Sequence, residues 1–83
     1  MNERPFSKLE LFRIEKVASA IWNSYKKSTK GNPILLHVSV SRIEDGYSVL
    51  FCYARWSERY NSIVIGELKA EIGNDFRIRR IVG

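Results

Sequence analysis

Cysteine and histidine occur once each in the 83 residues, as Cys52 and His37. One thiol cannot close an intramolecular disulfide, and one Cys with one His cannot assemble a Cys/His zinc site within a single chain. The five glycines, Gly31, Gly46, Gly66, Gly73 and Gly83, are scattered. Neither GxGxxG nor GxxxxGK occurs, which excludes the phosphate-cradling loops of nucleotide-dependent enzymes. With two prolines and 45% hydrophobic residues, collagenous, low-complexity and disordered classes are excluded as well. The longest wholly apolar run, Val49 to Ala54, is far too short to cross a bilayer. The opening MNERPFSKLE lacks the apolar stretch of a secretory signal. Carboxylates are not set apart from solvent in pairs: Glu44 and Asp45 are adjacent at a turn, and Glu67 and Glu71 alternate with lysine. No catalytic residue, metal site or cofactor is expected, and the composition fits a soluble cytoplasmic protein without membrane association.

What the sequence has is positive charge. Fourteen Lys and Arg against nine Asp and Glu give a formal +5, which favours acidic partners such as nucleic acid or an acidic protein. No acid lies between Glu15 and Glu44, and none follows Asp75, where Arg77, Arg79 and Arg80 sit. At 9.7 kDa the chain allows a single domain, residues 1–83, that buries only about 60% of its unfolded surface and leaves about 5,100 Å² accessible.

Hydrophobic periodicity divides this domain into one helix and four strands. Ser7 and Glu10 form a capping box, with Phe6 and Leu11 at the hydrophobic-staple positions. Leu11, Ile14, Val17, Ala18, Ile21, Trp22 and Tyr25 then recur at spacings of three and four, one apolar stripe. Lys26, Lys27 and Lys30 place positive charge at the C-terminal end of the dipole, Gly31 suits a left-handed cap, and Pro33 forbids continuation. A helix from Ser7 to Thr29 follows. Beyond Pro33 the period falls to two, giving strands over Ile34–Glu44, Tyr47–Trp56, Asn61–Ile72 and Phe76–Val82. An Asp45-Gly46 hairpin opposes Val40 to Phe51 and Val38 to Tyr53; a Gly73-Asn74-Asp75 loop opposes Ala70 to Ile78. The expected fold is α+β: one N-terminal helix packed on a four-stranded antiparallel meander, α-β-β-β-β, as a two-layer sandwich.

One helix covers one sheet face. On the other, alternation exposes Leu35, Leu50, Trp56, Ile63, Ile65 and Ile81, an apolar patch larger than a lone chain normally presents. These six residues are the candidate dimer or partner interface, and a homodimer packed sheet on sheet is expected. The same register sets His37 diagonally across from Cys52, a pairing that reads better as structural than as nucleophilic chemistry. Arg77, Arg79 and Lys69 on the open face, flanked by Trp56, Arg55, Arg59 and Tyr60, form the candidate nucleic-acid site, because cations interleaved with aromatics suit single strands. Cross-strand pairing of Arg77 with Glu71 is the structural alternative. The functional expectation is a small non-enzymatic interaction module binding nucleic acid or another polyanion. The alternative is an adaptor or inhibitor that engages a protein partner through the open sheet face.

Overall fold

A computed structural model of the chain describes residues 5–83; residues 1–4 of the expected 1–83 unit lie outside the described residues. One helix, α1 (Lys8–Ser28), precedes four strands, β1 (Ile34–Ile43), β2 (Gly46–Ser57), β3 (Ser62–Gly73) and β4 (Ile78–Val82). The sheet is antiparallel in the order β1-β2-β3-β4. This is the α+β meander that the two hydrophobic periods require.

The start of α1 is fixed by reciprocal hydrogen bonds that the capping box supplies. The Glu10 N–H donates to Ser7 Oγ (3.1 Å) and the Ser7 N–H donates to Glu10 Oε1 (3.0 Å). Glu10 also reaches across to the sheet. Arg42 donates from both terminal nitrogens to its carboxylate (2.8 and 2.9 Å), and the Tyr47 hydroxyl donates to Oε2 (2.7 Å). The Arg42 hydrogen bonds, aided by those from Ser7 and Tyr47, hold the Glu10 carboxyl well below its ordinary range. The Phe6 ring lies under the Arg42 guanidinium (4.5 Å) and against Tyr47 (6.1 Å), and Leu11 is 45% exposed.

The buried stripe of α1, Ile14, Ala18, Ile21 and Trp22, packs over Val49, Phe51 and Tyr53 of β2 and Leu68, Ala70 and Ile72 of β3. Trp22 stacks on Phe51 (6.2 Å between ring centroids) and tilts against Tyr53 (5.7 Å). The Tyr53 ring covers Gly66, its directly opposed partner on β3, and shares a hydroxyl–hydroxyl hydrogen bond with Tyr25. Gly66 therefore makes room for the Tyr53 ring.

Registers differ from expectation in three places, each with a local cause. The two-residue β1–β2 loop is Glu44-Asp45, so Val40 opposes Val49 and Val38 opposes Phe51. This slip of two residues leaves every side chain on its expected face. Gly46 enters the strand instead, where a Cβ would lie 2.0 Å from the Ile72 carbonyl oxygen. A β-bulge between Leu35 and His37 turns Leu35 to the helix side, half-buried against the core, and leaves Ile34 66% exposed. Leu35 is thus removed from the open-face patch. At β4, Phe76 adopts positive φ (61°) and stacks on Tyr47 (5.6 Å), so the strand begins at Ile78, which opposes Ile72 in place of Ala70. A second register shift follows, and Ile81 opposes core residue Ala70. Ile81 therefore also lies on the helix side, and Glu71 faces Arg80 where Arg77 was expected. The β2–β3 connection is a four-residue loop, closed by Ser57 opposite Ser62.

Candidate nucleic-acid interface

The C-terminal end of α1 and the β2–β3 loop meet at one end of the molecule, and their meeting is built by backbone geometry. Gly31 takes φ +91° in the connection from α1 to β1, two residues past the C-cap Thr29. The Trp56 N–H donates to its carbonyl (3.0 Å). A Cβ at Gly31 would stand 2.2 Å from the Trp56 carbonyl oxygen, so only glycine permits this approach. The glycine ties the connection to the end of β2 and does not serve as the helix cap.

Tying Gly31 down brings Lys30 to the edge of a cleft of about 430 Å³, lined also by Arg55, Trp56, Glu58, Arg59 and Tyr60. The loop is folded so that Tyr60 faces outward. The Tyr60 N–H donates to Ser57 Oγ (3.4 Å), the Asn61 N–H donates to the Glu58 carbonyl (3.3 Å), and Asn61 supplies the left-handed residue (φ 48°) that closes the turn. The Arg59 guanidinium lies 5.5 Å from the Tyr60 ring centroid, and Arg55 donates to the Trp56 carbonyl (3.4 Å). Trp56 is 45% and Tyr60 65% exposed.

Charge concentrates at this end. Lys26 and Lys27 in the last helical turn with Lys30, Arg55 and Arg59 set five cations against one acid, Glu58, a local +4 within the chain's +5. The negative end of the α1 dipole offsets part of this, and only over its last turn.

Of the seven residues expected to bind nucleic acid, Arg55, Arg59, Trp56 and Tyr60 are brought together here. Arg77, Arg79 and Lys69 are not. Arg77 and Arg79 lie at the other end of β2 and β3, about 35 Å away for a 12-residue strand, and each is beside an acid. Arg79 pairs with Asp45 (2.8 Å) and donates to its carbonyl (2.9 Å), and Arg77 lies 3.9 Å from Asp75. Lys69 sits partway along the open face, opposite Leu50 and Val82. Lys30 is the site residue that sequence reasoning missed. It read as helix-end charge, and its place beside Trp56 depends on a hydrogen bond between residues 25 positions apart.

The remaining candidate chemistry is at Cys52. His37 opposes it directly on β1 and Glu67 directly on β3. Cys52 thus stands between the base and the acid, an order in which Glu67 cannot orient the imidazole as a nucleophile's base requires. Among the described residues no cluster of three or more His, Cys, Asp or Glu is placed to hold a metal ion, and no helix is long and apolar enough to cross a membrane. A scan against protein-family models finds no match, and none is found among curated proteins or solved structures.

Proposed function

We propose that the chain is a non-enzymatic interaction module that binds nucleic acid, single strands above all, at the cleft between the α1–β1 connection and the β2–β3 loop. The observation that carries this reading is the gathering of Lys30, Arg55 and Arg59 around exposed Trp56 and Tyr60 at the end holding most of the net charge. Phosphates are drawn by the cations and unstacked bases lie on the aromatic faces, with no requirement for a particular base. Fluorescence anisotropy of labelled single-stranded DNA, duplex DNA and RNA, each titrated at several salt concentrations, tests it. The expected result is micromolar single-strand binding that weakens steeply with salt; absence of binding at low salt refutes it.

A second reading rests on a different observation. Ile34, Ile63 and Ile65 are each more than 60% exposed on the open sheet face beside Trp56, which supports a protein-contacting role for that face. Of the six expected interface residues, Leu50, Trp56, Ile63 and Ile65 lie there, Leu35 and Ile81 having turned to the helix side.

A further inference from the structure

The cleft that gathers Lys30, Arg55 and Arg59 holds an unequal stock of hydrogen-bonding side chains. The ammonium, the two guanidiniums and the Trp56 indole only donate. Ser57 is buried and its Oγ already accepts from the Tyr60 N–H. Side-chain acceptors are left to the Tyr60 hydroxyl and to Glu58, the one carboxylate lining the cleft among the described residues. Glu58 opens the β2–β3 loop, where its carbonyl accepts from the Asn61 N–H (3.3 Å). Its side chain is exposed and, among the described residues, enters no salt bridge, although three cations line the same cleft.

We infer that Glu58 reads the base, so that the cleft prefers single strands containing guanine; the inference rests on the proposed binding of single strands there. Guanine presents N1–H and N2–H side by side on its Watson–Crick edge, two donors for the two oxygens of a carboxylate. No other base offers that pair. Adenine and cytosine each set one amino donor beside a ring-nitrogen acceptor. Thymine and uracil set a single N–H between two carbonyls, whose lone pairs repel a carboxylate. Guanine O6 in turn accepts from a neighbouring cation. Stacking on Trp56 or Tyr60 is indifferent to the base, so discrimination enters through the acceptor. Charge points the same way. A carboxylate among phosphate-binding cations lowers the attraction for every strand alike, and only a base that uses its oxygens recovers the loss. Placement agrees as well, because Glu58 and Tyr60 belong to one four-residue loop closed by Ser57 opposite Ser62, which holds the acceptor close in chain to a stacking ring.

The test is fluorescence anisotropy of the full chain, at one low salt concentration, with short single strands made as DNA and as RNA. One strand of each kind carries thymine or uracil alone, and the others carry guanine, hypoxanthine, adenine or cytosine at alternate positions. The guanine strand should bind at least about 5-fold more tightly than the thymine or uracil strand. Hypoxanthine keeps N1–H and lacks the N2 amino group, and should fall between them. The order should hold for both sugars, because both donors belong to the base, and the tighter series shows which polymer the cleft takes. In Glu58→Gln, with far-UV circular dichroism unchanged, guanine affinity should fall while thymine affinity rises, bringing the two within about 2-fold. A Glu58 that acted through its charge alone would raise both together. Equal affinity across the wild-type series, or a guanine preference that survives Glu58→Gln, overturns the inference and leaves binding at the cleft standing. Failure of every strand to bind refutes the cleft reading itself, and the inference with it.

Discussion

Gly66→Ala is the sharpest probe of how this core is assembled. A Cβ at position 66 would lie 2.6 Å from Tyr53 Cζ and 2.7 Å from its hydroxyl oxygen, so the ring must move. It is not free to do so, because Trp22 and Tyr25 both pack on it (5.7 and 5.4 Å between centroids) and its hydroxyl is bonded to that of Tyr25. Overpacking costs about 1–3 kcal/mol, and loss of the hydroxyl pair costs a further 0.5–1.5 kcal/mol or so. Replacing a strand glycine by alanine returns about 0.5–1 kcal/mol. The net is a destabilisation of about 2 kcal/mol, or a fall in Tm of roughly 8–16 °C for a chain of this size. The sign should reverse where the ring is absent. In a Tyr53→Val background the same substitution should stabilise by about 0.5–1 kcal/mol, so urea unfolding of the four chains forms a double-mutant cycle with a large coupling energy. If Gly66→Ala in the wild-type background leaves the urea midpoint unchanged or raises it, the reasoning that Gly66 exists to seat Tyr53 is refuted.

Glu10 governs the acid side of the stability curve. Its folded pKa is depressed, so the unfolded chain takes up the proton first; its contribution is full above about pH 5 and is lost as pH falls through and below the ordinary carboxylate range. Glu10→Gln should lower the urea midpoint at pH 7 and flatten its fall between pH 5 and 3, and an unaltered slope would contradict the assignment. Phe51, 1% exposed under Trp22, should cost about 3–5 kcal/mol as Phe51→Ala, a large share of the roughly 4–12 kcal/mol available to a chain of this length; denaturant curves measure it directly. Gly31→Ala forces a β-carbon against the Trp56 carbonyl at a positive φ. Both the unfolding midpoint and the affinity for a single-stranded oligonucleotide should fall, because Lys30 loses its place at the cleft; affinity unchanged beside a lowered midpoint would detach Lys30 from the site.

Local signals carried most of the fold. Ser7 and Glu10 marked the helix start because a capping box is contained within four residues, and the three- and four-residue spacing of Ile14, Ala18, Ile21 and Trp22 marked the buried face. Strand faces survived the β1–β2 register slip because it was an even number of residues. The bulge at Leu36 and the shift before Ile81 were not legible, since an unpaired residue is identified by its partner strand and leaves alternation within its own strand looking intact. Those two irregularities moved Leu35 and Ile81 across the sheet and exposed Ile34. The binding site followed the same division. Composition identified the residue types, cations beside Trp56 and Tyr60, while their grouping depended on long-range contacts. Gly31 to Trp56 gathered Lys30 with Arg55 and Arg59, and Arg79 to Asp45 occupied an arginine that alternation had placed on the open face.

The location of the salt dependence tests the central claim most directly. Oligonucleotide affinity should be measured against salt for the wild-type chain, for Lys30→Ala/Arg59→Ala and for Arg77→Ala/Arg79→Ala. With two phosphate-contacting cations removed at the cleft, the slope of log affinity against log salt should become shallower by about 1.4 for a single strand. The pair at the opposite end should leave the slope unchanged. A slope that shifts with Arg77 and Arg79 and not with Lys30 and Arg59 would contradict the placement of the site.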